Sequence, residues 1–282
     1  YLALCEVYLA DQVTPHHSNT RAMVRGFLDT AKGYTDAWFG YEQEYTLFSG
    51  SAPLGFGHDR RSPPPQGPYY CGVGADEVYG REMVEKHLKA CWEANIMISG
   101  INAEVMPGQW EFQIGPGNAL EASDHLWLAR WLLYRVGEEY GITATLDPKP
   151  VSGDWNGAGM HANFSTGIMR EEGGMKHIED WCKAAGVEER KTAHLKAYGD
   201  GIEARLTGKH ETCAWNDYKY GVSDRTASIR IPVGTAAMGY GYLEDRRPNA
   251  NACPYQVAVE MLTTAQIADQ QGLAEEVSSR LQ

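Results

Sequence analysis

The sequence predicts an α+β fold, on three observations. Strand-like stretches and hairpins are mixed with helical stretches, without the regular alternation of a βαβ series. The 282 residues, 43% hydrophobic and 11% aromatic, have the composition of a soluble globular protein with one large core or two smaller ones. No internal repeat or low-complexity tract breaks the chain.

The elements follow in order. Residues 1–9 read as a strand, and 10–20, with Pro15 and the His16-His17 pair, as a polar connection. Residues 38–48 are a strand, because aromatic and β-branched residues dominate them. A Gly/Pro-rich loop over 49–74 contains Pro63-Pro64-Pro65, and its length and aromatics suit a ligand-covering role. Residues 79–94 have helical period, with Met83, Val84, His87, Leu88, Cys91 and Trp92 on one face, so His87 is a packed histidine. Residues 96–114 read as two strands around Pro107-Gly108. A helix capped by Ser123 runs to Tyr140 and stops at Gly141, burying Leu128, Trp131, Leu132, Arg135 and Val136. Helices are expected near 174–185, 191–198 and 254–271, and strands near 161–165, 228–231 and 241–244.

The net charge of -12 argues against a nucleic-acid partner, since phosphate-backbone binding needs a basic face. No window approaches the ~18 apolar residues of a membrane span. The six cysteines include no Cys-x-x-Cys pair, so neither a zinc site nor a disulfide framework is implied, and a cytoplasmic setting is the default. The N-terminus lacks an initiating Met and reads as a chain entered in mid-strand.

Acids carry the chemistry. Glu42 and Glu44 leave one face of their strand about 6–7 Å apart, a costly arrangement among aromatics unless a cation covers them. On its own, such a pair also fits a solvated edge strand. If Pro107-Gly108 sits at the tip of a two- or four-residue loop, Glu104 faces Glu111 with Cβ atoms about 5 Å apart. Four acids suit Mg²⁺ or Mn²⁺ rather than Zn²⁺. After the glycine-rich Asn156-Gly157-Ala158-Gly159, the residues His161, Asn163 and Ser165 alternate onto one face. Tyr242, Glu244 and Arg246 share a face if extended, and Arg225 and Arg230 add cationic forks suited to carboxylate and phosphate. Gly208-Lys209 is not a P-loop ending, because residue 203 is Glu and residue 210 is His.

The segments Trp-Phe-Gly-Tyr-Glu-Gln-Glu-Tyr (38–45), Pro-Gln-Gly-Pro-Tyr-Tyr (65–70) and Ile-Asn-Ala-Glu-Val-Met-Pro-Gly-Gln-Trp-Glu-Phe-Gln (101–113) resemble glutamine synthetases. So do Asn-Gly-Ala-Gly-Met-His-Ala-Asn-Phe-Ser-Thr (156–166), Arg-Leu-Thr-Gly-Lys-His-Glu-Thr (205–212), Ala-Ser-Ile-Arg-Ile-Pro (227–232) and Tyr-Leu-Glu-Asp-Arg-Arg-Pro-Asn-Ala (242–250). The resemblance is to the type II form and runs in order over nearly the whole chain.

It implies a glutamine synthetase/guanido kinase-like catalytic domain, with a curved, largely antiparallel sheet flanked by helices. Residues 21–282 would be that domain, and 1–20 the remnant of an N-terminal β-grasp domain and linker. The implied reaction is ATP-dependent ligation of glutamate and ammonia to glutamine through γ-glutamyl phosphate. Glu44, Glu104 and Glu111 would hold one divalent ion and Glu42, His161 and Glu244 a second. Asn156, Gly157 and Arg205 would grip glutamate, with Arg246 at both its carboxylate and the transferring phosphate. Arg225 and Arg230 would serve the phosphates, and Glu211 would close over the intermediate and receive a proton from ammonium. Trp38, Asn163, Ser165 and Tyr242 would line the nucleotide pocket. The family also implies a homo-oligomer, a decamer of two pentameric rings. With most of the N-terminal domain missing, weak or absent ligase activity is expected of this chain. A γ-glutamyl ligase for a larger amine is the alternative in the same fold. A catalytically silent relative is disfavoured, because it has no reason to keep clustered acids.

Overall fold

The computed structural model describes residues 1–57 and 63–280. Nine strands form one open sheet: β1 (Trp38–Ser49), β2 (Ala52–Pro53), β3 (Ile98–Ala103), β4 (Gln109–Gly117), β5 (Thr143–Thr145), β6 (Met160–Ser165), β7 (Tyr220–Val222), β8 (Ile229–Ile231) and β9 (Leu243–Asp245). Their main order is β3-β4-β1-β6-β9-β8-β7, with β2 and β5 also pairing with β1. Every pair is antiparallel except β7 with β8. The α+β expectation therefore holds, with the acid-bearing strand as the spine.

Alternation along β1 sorts its side chains. Phe39, Tyr41, Tyr45 and Leu47 enter the main core, and Glu42 and Glu44 leave by the opposite face. The helices are α1 (Thr20–Thr30), α2 (Arg81–Glu93), α3 (Ala119–Tyr140), α4 (Met175–Ala185), α5 (Glu188–Ala197), α6 (Ile202–Arg205), α7 (Val233–Met238) and α8 (Pro254–Arg280). α3 packs on β1, β4 and β5, while α8 gathers α1, α3, α4 and α5 around itself. A buried polar clamp joins these layers. Arg130 of α3 donates to Gln43 Oε1 at 2.8 and 2.6 Å and to the carbonyls of Ala250 and Ala252 at 3.0 Å. Burial lowers the Arg130 pKa to about 10, and these acceptors keep its donors satisfied.

Several expectations need correction. Residues 1–9 form no strand; Tyr8 makes an isolated bridge to Pro15. A strand needs a partner ladder, and this segment's neighbours are instead side chains: Glu6 pairs with Arg21 and Arg25 of α1, and Leu2 and Leu4 lie beside Trp127 and Trp131 of α3. α1 was not anticipated; Asn19 caps it by accepting from Ala22 N–H. α3 begins five residues before its expected start region, because the Asn118 side chain caps it, while Ser123 lies inside and bonds back to the Ala119 carbonyl. Its buried side is Ala122, Leu126, Ala129, Arg130, Leu133 and Val136; Trp131 is 48% exposed. Ala122 and Ala129 alternate with Leu126 and Leu133 on the side against the sheet, so small and large residues interleave there. Trp92 of α2 is likewise exposed, although Met83, Val84, His87 and Cys91 are buried as expected. His87 packs against Phe112 and meets the Ala129 carbonyl at 2.9 Å. Among the described residues of the long loop over 49–74, β2 is the only break, and residues 58–62 lie outside the described residues.

Candidate active site

Sheet register assembles the acids. Glu42 pairs with His161 across β1 and β6, Glu44 with Glu111 across β1 and β4, and Glu244 with both Asn163 and Arg230. The β3–β4 hairpin is shifted by two residues from its expected register. Asn102, not Glu104, lies opposite Glu111, and Glu104 N–H bonds to the Gln109 carbonyl. A shift of two preserves the face. Glu104 therefore still reaches Glu111, now diagonally, and Glu44 takes the directly opposed place.

The result is two trios, Glu44/Glu104/Glu111 and Glu42/His161/Glu244, each with ligand atoms within 4.8 Å of one another. In the first, the hydrogen-bond donors are neutral. Asn102 donates to Glu104 at 2.9 Å, Val105 N–H to the same carboxylate at 3.2 Å, Gln113 to Glu111, and Gly159 N–H to Glu44. Burial and the charges of Glu44 and Glu111 push Glu104 well above the usual carboxylate range. Burial, Glu42 and Glu44 push Glu111 to about 8. Three hard carboxylates short of positive charge fit a divalent cation of the Mg²⁺ or Mn²⁺ type.

The second trio has its own cations. His161 Nδ1 lies 3.4 Å from Glu42 and 3.3 Å from Glu244. Glu244, fully buried, is also paired with Arg246 at 2.7 Å and with Arg230. Burial raises the Glu244 pKa, but His161, Arg246 and Arg230 outweigh it and hold it at about 2. Burial and Arg246 push His161 down, while Glu244 and Glu42 prevail and raise it to about 9. Two carboxylates and an imidazole also fit a divalent ion, once the arginines turn to another anion. Gly159 opens the strand that carries His161. A Cβ there would collide with the Arg205 guanidinium, which explains the glycine.

Around the trios lies a polar cavity of about 360 Å³. It receives Glu42, Glu44, Glu104, Glu111 and His161 from the sheet, and Asn156, Gly157, Arg205, Glu211, Arg225, Arg230 and Arg246 from the loops and strand ends. Arg205 is nearly buried and donates to the carbonyls of Arg246, Arg247 and Pro248 at 3.1–3.2 Å, with His161 Nε2 at 3.1 Å. It braces the strand end as well as lining the cavity. A second cavity of about 400 Å³ holds Trp38, Asn163, Ser165 and Tyr242. Glu42 lines both cavities, accepting from Asn163 at 2.8 Å.

All predicted site residues thus meet at two adjoining cavities, with Glu244 buried in contact with their lining. Other lining residues escaped the sequence reading. Arg170 lies 4.3 Å over the Trp38 ring and bonds Ser165, but nothing in its spacing marks it. Gln113, which lines the second cavity, and its strand neighbour Gln109 could have been found, since they alternate with Glu111 along β4. Gln109 holds the Gly157 carbonyl at 3.0 Å, and Gln113 bonds Glu111 and Asn102.

A family model described as glutamine synthetase, catalytic domain, matches residues 18–278. A glutamine synthetase from Streptomyces hygroscopicus is 56% identical over 263 residues, covering 93% of this chain and 76% of its own length. The chloroplastic glutamine synthetase of Chlamydomonas reinhardtii is 52% identical over 265 residues, covering 93% of this chain and 69% of its own. That of Neurospora crassa is 52% identical over 264 residues, covering 93% and 72%. With the match running through every strand that supplies an acid or arginine, this chain belongs to the glutamine synthetase family.

Proposed function

We propose that this chain ligates glutamate and ammonia to glutamine at the expense of ATP, through γ-glutamyl phosphate. The observation that carries this is the pairing of an acid trio that has no salt-bridged cation among the described residues with an arginine-balanced trio on one sheet face, beside a cavity walled by Trp38. Adenine stacks on Trp38, with Asn163, Ser165 and Tyr242 around it. The phosphates run over Glu42 toward Arg225, Arg230 and Arg246. Glu44, Glu104 and Glu111 would hold one Mg²⁺ or Mn²⁺ ion and Glu42, His161 and Glu244 another. Such ions supply Lewis-acid neutralisation of the phosphoryl charge.

Asn156 and Gly157 hold glutamate, with Arg205 and Arg246 at its carboxylates. Arg246, freed from Glu244 by the arriving phosphate, turns its charge to the transferring group. Glu211 closes over the acyl phosphate, excludes water that would hydrolyse it, and accepts a proton from ammonium. Residues 21–282 serve as the catalytic unit, and a double pentameric ring is its proposed assembly.

Two measurements test this. Mn²⁺ titration should find two ions, one lost in Glu44→Ala and the other in His161→Ala; loss of neither would overturn the metal assignment. Phosphate release with ATP, Mg²⁺ and glutamate should depend on ammonia in preference to larger amines. Preference for a larger amine would turn the reading to another γ-glutamyl ligase.

A further inference from the structure

The polar cavity is closed on its open side by three loops that are far apart in sequence. Gln66 comes from the long proline-rich loop, Asp154 and Asn156 from the segment before β6, and His210 and Glu211 from the segment after α6. One side chain joins all three. Gln66 Nε2 donates to Asn156 Oδ1 and lies 3.2 Å from His210 Nδ1. On its other side, His210 Nε2 contacts Asp154 at 3.1 Å. Asn156 Nδ2 donates to Glu211 Oε2 at 3.0 Å, and Arg246 donates to the Glu211 carbonyl at 3.3 Å.

We propose that Gln66 is a positioning residue that latches these loops, holding the Glu211 flap closed and fixing which way the Asn156 amide points. Two features carry this. A primary amide has one donating and one accepting end. Because the Gln66 NH₂ takes the Asn156 oxygen, the Asn156 NH₂ is committed to the cavity side, where a carboxylate, now that of Glu211, accepts from it. Backbone strain is the second. Gln66, His210 and Glu211 all have positive φ, 56°, 54° and 57°, although none is glycine. Such conformations cost about 1 kcal/mol or more each and persist only where the surroundings over-determine them. Here the cross-loop hydrogen bonds are that constraint, so cutting the latch lets the strained segments relax outward.

The consequence for substrate rests on the ligase reading. Glutamate's carboxylate replaces Glu211 at the Asn156 NH₂, and the same amide orientation that holds the empty flap recognises the bound acid. Gln66 touches neither glutamate nor the reacting atoms in this account.

Amide hydrogen exchange on the metal-free 282-residue chain tests the latch without requiring turnover. In Gln66→Ala, exchange across 208–213 and 154–157 should speed by about tenfold, while α2 and α3 stay unchanged, as expected for loss of one or two hydrogen bonds. Gln66→Met, which keeps the bulk but not the amide, should behave the same way. His210→Ala should loosen 154–157 from the opposite side of the latch. Acceleration confined to 63–70, or a Gln66→Met variant indistinguishable from the parent, would overturn the proposal. Glutamate affinity in the presence of ADP and Mn²⁺ should fall several-fold in both Gln66 variants. A parent chain that binds neither Mn²⁺ nor glutamate would instead overturn the ligase reading, with the exchange result still deciding the latch.

Discussion

Glu44, Glu104 and Glu111 repel one another across a gap filled by neutral amides. Glu42, His161 and Glu244, starting one alternate residue earlier on the same strand, are balanced by Arg230 and Arg246. Both trios come from the same sheet register and differ only in what the neighbouring strands bring. β4 adds a third acid to the first, whereas β8 and β9 bring arginines to the second. Without a metal, Glu104 and Glu111 of the first trio keep protons they would release in water, and the second folds as a salt-bridged knot. The difference means that a divalent ion would relieve strain in the first trio but must displace existing partners in the second.

Glu111→Gln should break the comparison most. Removing a ligand from the first trio should cut glutamine formation about a thousandfold, several kcal/mol of charge stabilisation. The same substitution should raise metal-free stability at neutral pH by about 1 kcal/mol or more, because the buried Glu111 carboxyl must take up a proton to fold and Gln need not. Urea unfolding in EDTA, read beside Mn²⁺ affinity, separates the two effects. Unchanged Mn²⁺ affinity would remove the first trio from the site.

In the second trio the same chemical change should have the opposite sign. Glu244→Gln leaves Arg230, Arg246 and His161 without their shared counter-charge in a buried place, at a cost of about 3 kcal/mol. A Glu244→Gln chain that melts at or above the parent in EDTA would show that the arginines find other partners.

pH sharpens the contrast further. In the fold Glu111 keeps its proton to about pH 8, but an unfolded glutamate releases it near 4.5. Between those values the unfolded state binds fewer protons, so stability falls as pH rises. His161, raised from 6.5 to about 9, loses its contribution in the same direction between those values. Glu244, held at about 2, matters only as pH falls from 4.5 through 2. The metal-free chain should therefore lose stability from pH 5 to 9, by about 1.4 kcal/mol per pH unit for each proton of difference. Saturating Mn²⁺ should displace the protons of the first trio and flatten most of that slope. Urea titrations at pH 6 and 8.5, with EDTA or Mn²⁺, check both statements, and greater metal-free stability at pH 8.5 would refute the first.

The two trios were legible in the sequence to different degrees. Period-two alternation in residues 38–48 placed Glu42 and Glu44 on one face, and that arrangement stands. The partner of Glu111 was misjudged, because the four-residue turn 105–108 is centred on Met106-Pro107, one residue before Pro107-Gly108, which moves every facing pair by two. His161 was found because Asn163 and Ser165 repeat its face. The roles of Arg170 and Gln66 depend on loops folding back over the sheet, contacts that no local period encodes. The buried side of α3 was misread for a related reason. Its apolar residues run nearly all round, and the choice of Ala122 and Ala129 over Trp131 is made by closeness to the sheet, a tertiary quantity. At the N-terminus, β-rich composition over 1–9 predicted a strand, but strands are made by backbone ladders, and here Tyr8 makes a single bridge to Pro15 while Glu6 is held by Arg21 and Arg25 of α1.

The smallest expected effect lies where the second trio borders the aromatic cavity. Arg170 stacks over the half-exposed Trp38 ring, bonds Ser165 through Nη1 and reaches Asp36 through Nη2 at 3.4 Å. The guanidinium and the indole together line the aromatic cavity. An exposed cation–π contact of this kind contributes about 0.5–1 kcal/mol. Arg170→Ala should thus weaken ADP binding about two- to fivefold, through a Trp38 ring less well held, with Mn²⁺ affinity at Glu44, Glu104 and Glu111 untouched. Tryptophan fluorescence quenching by ADP, run beside a Mn²⁺ titration, reads both quantities on one sample. A Mn²⁺ affinity that falls together with ADP affinity would mean that the aromatic cavity and the first trio are coupled through Glu42, and the separation between the two trios would fail at the residue that lines both cavities.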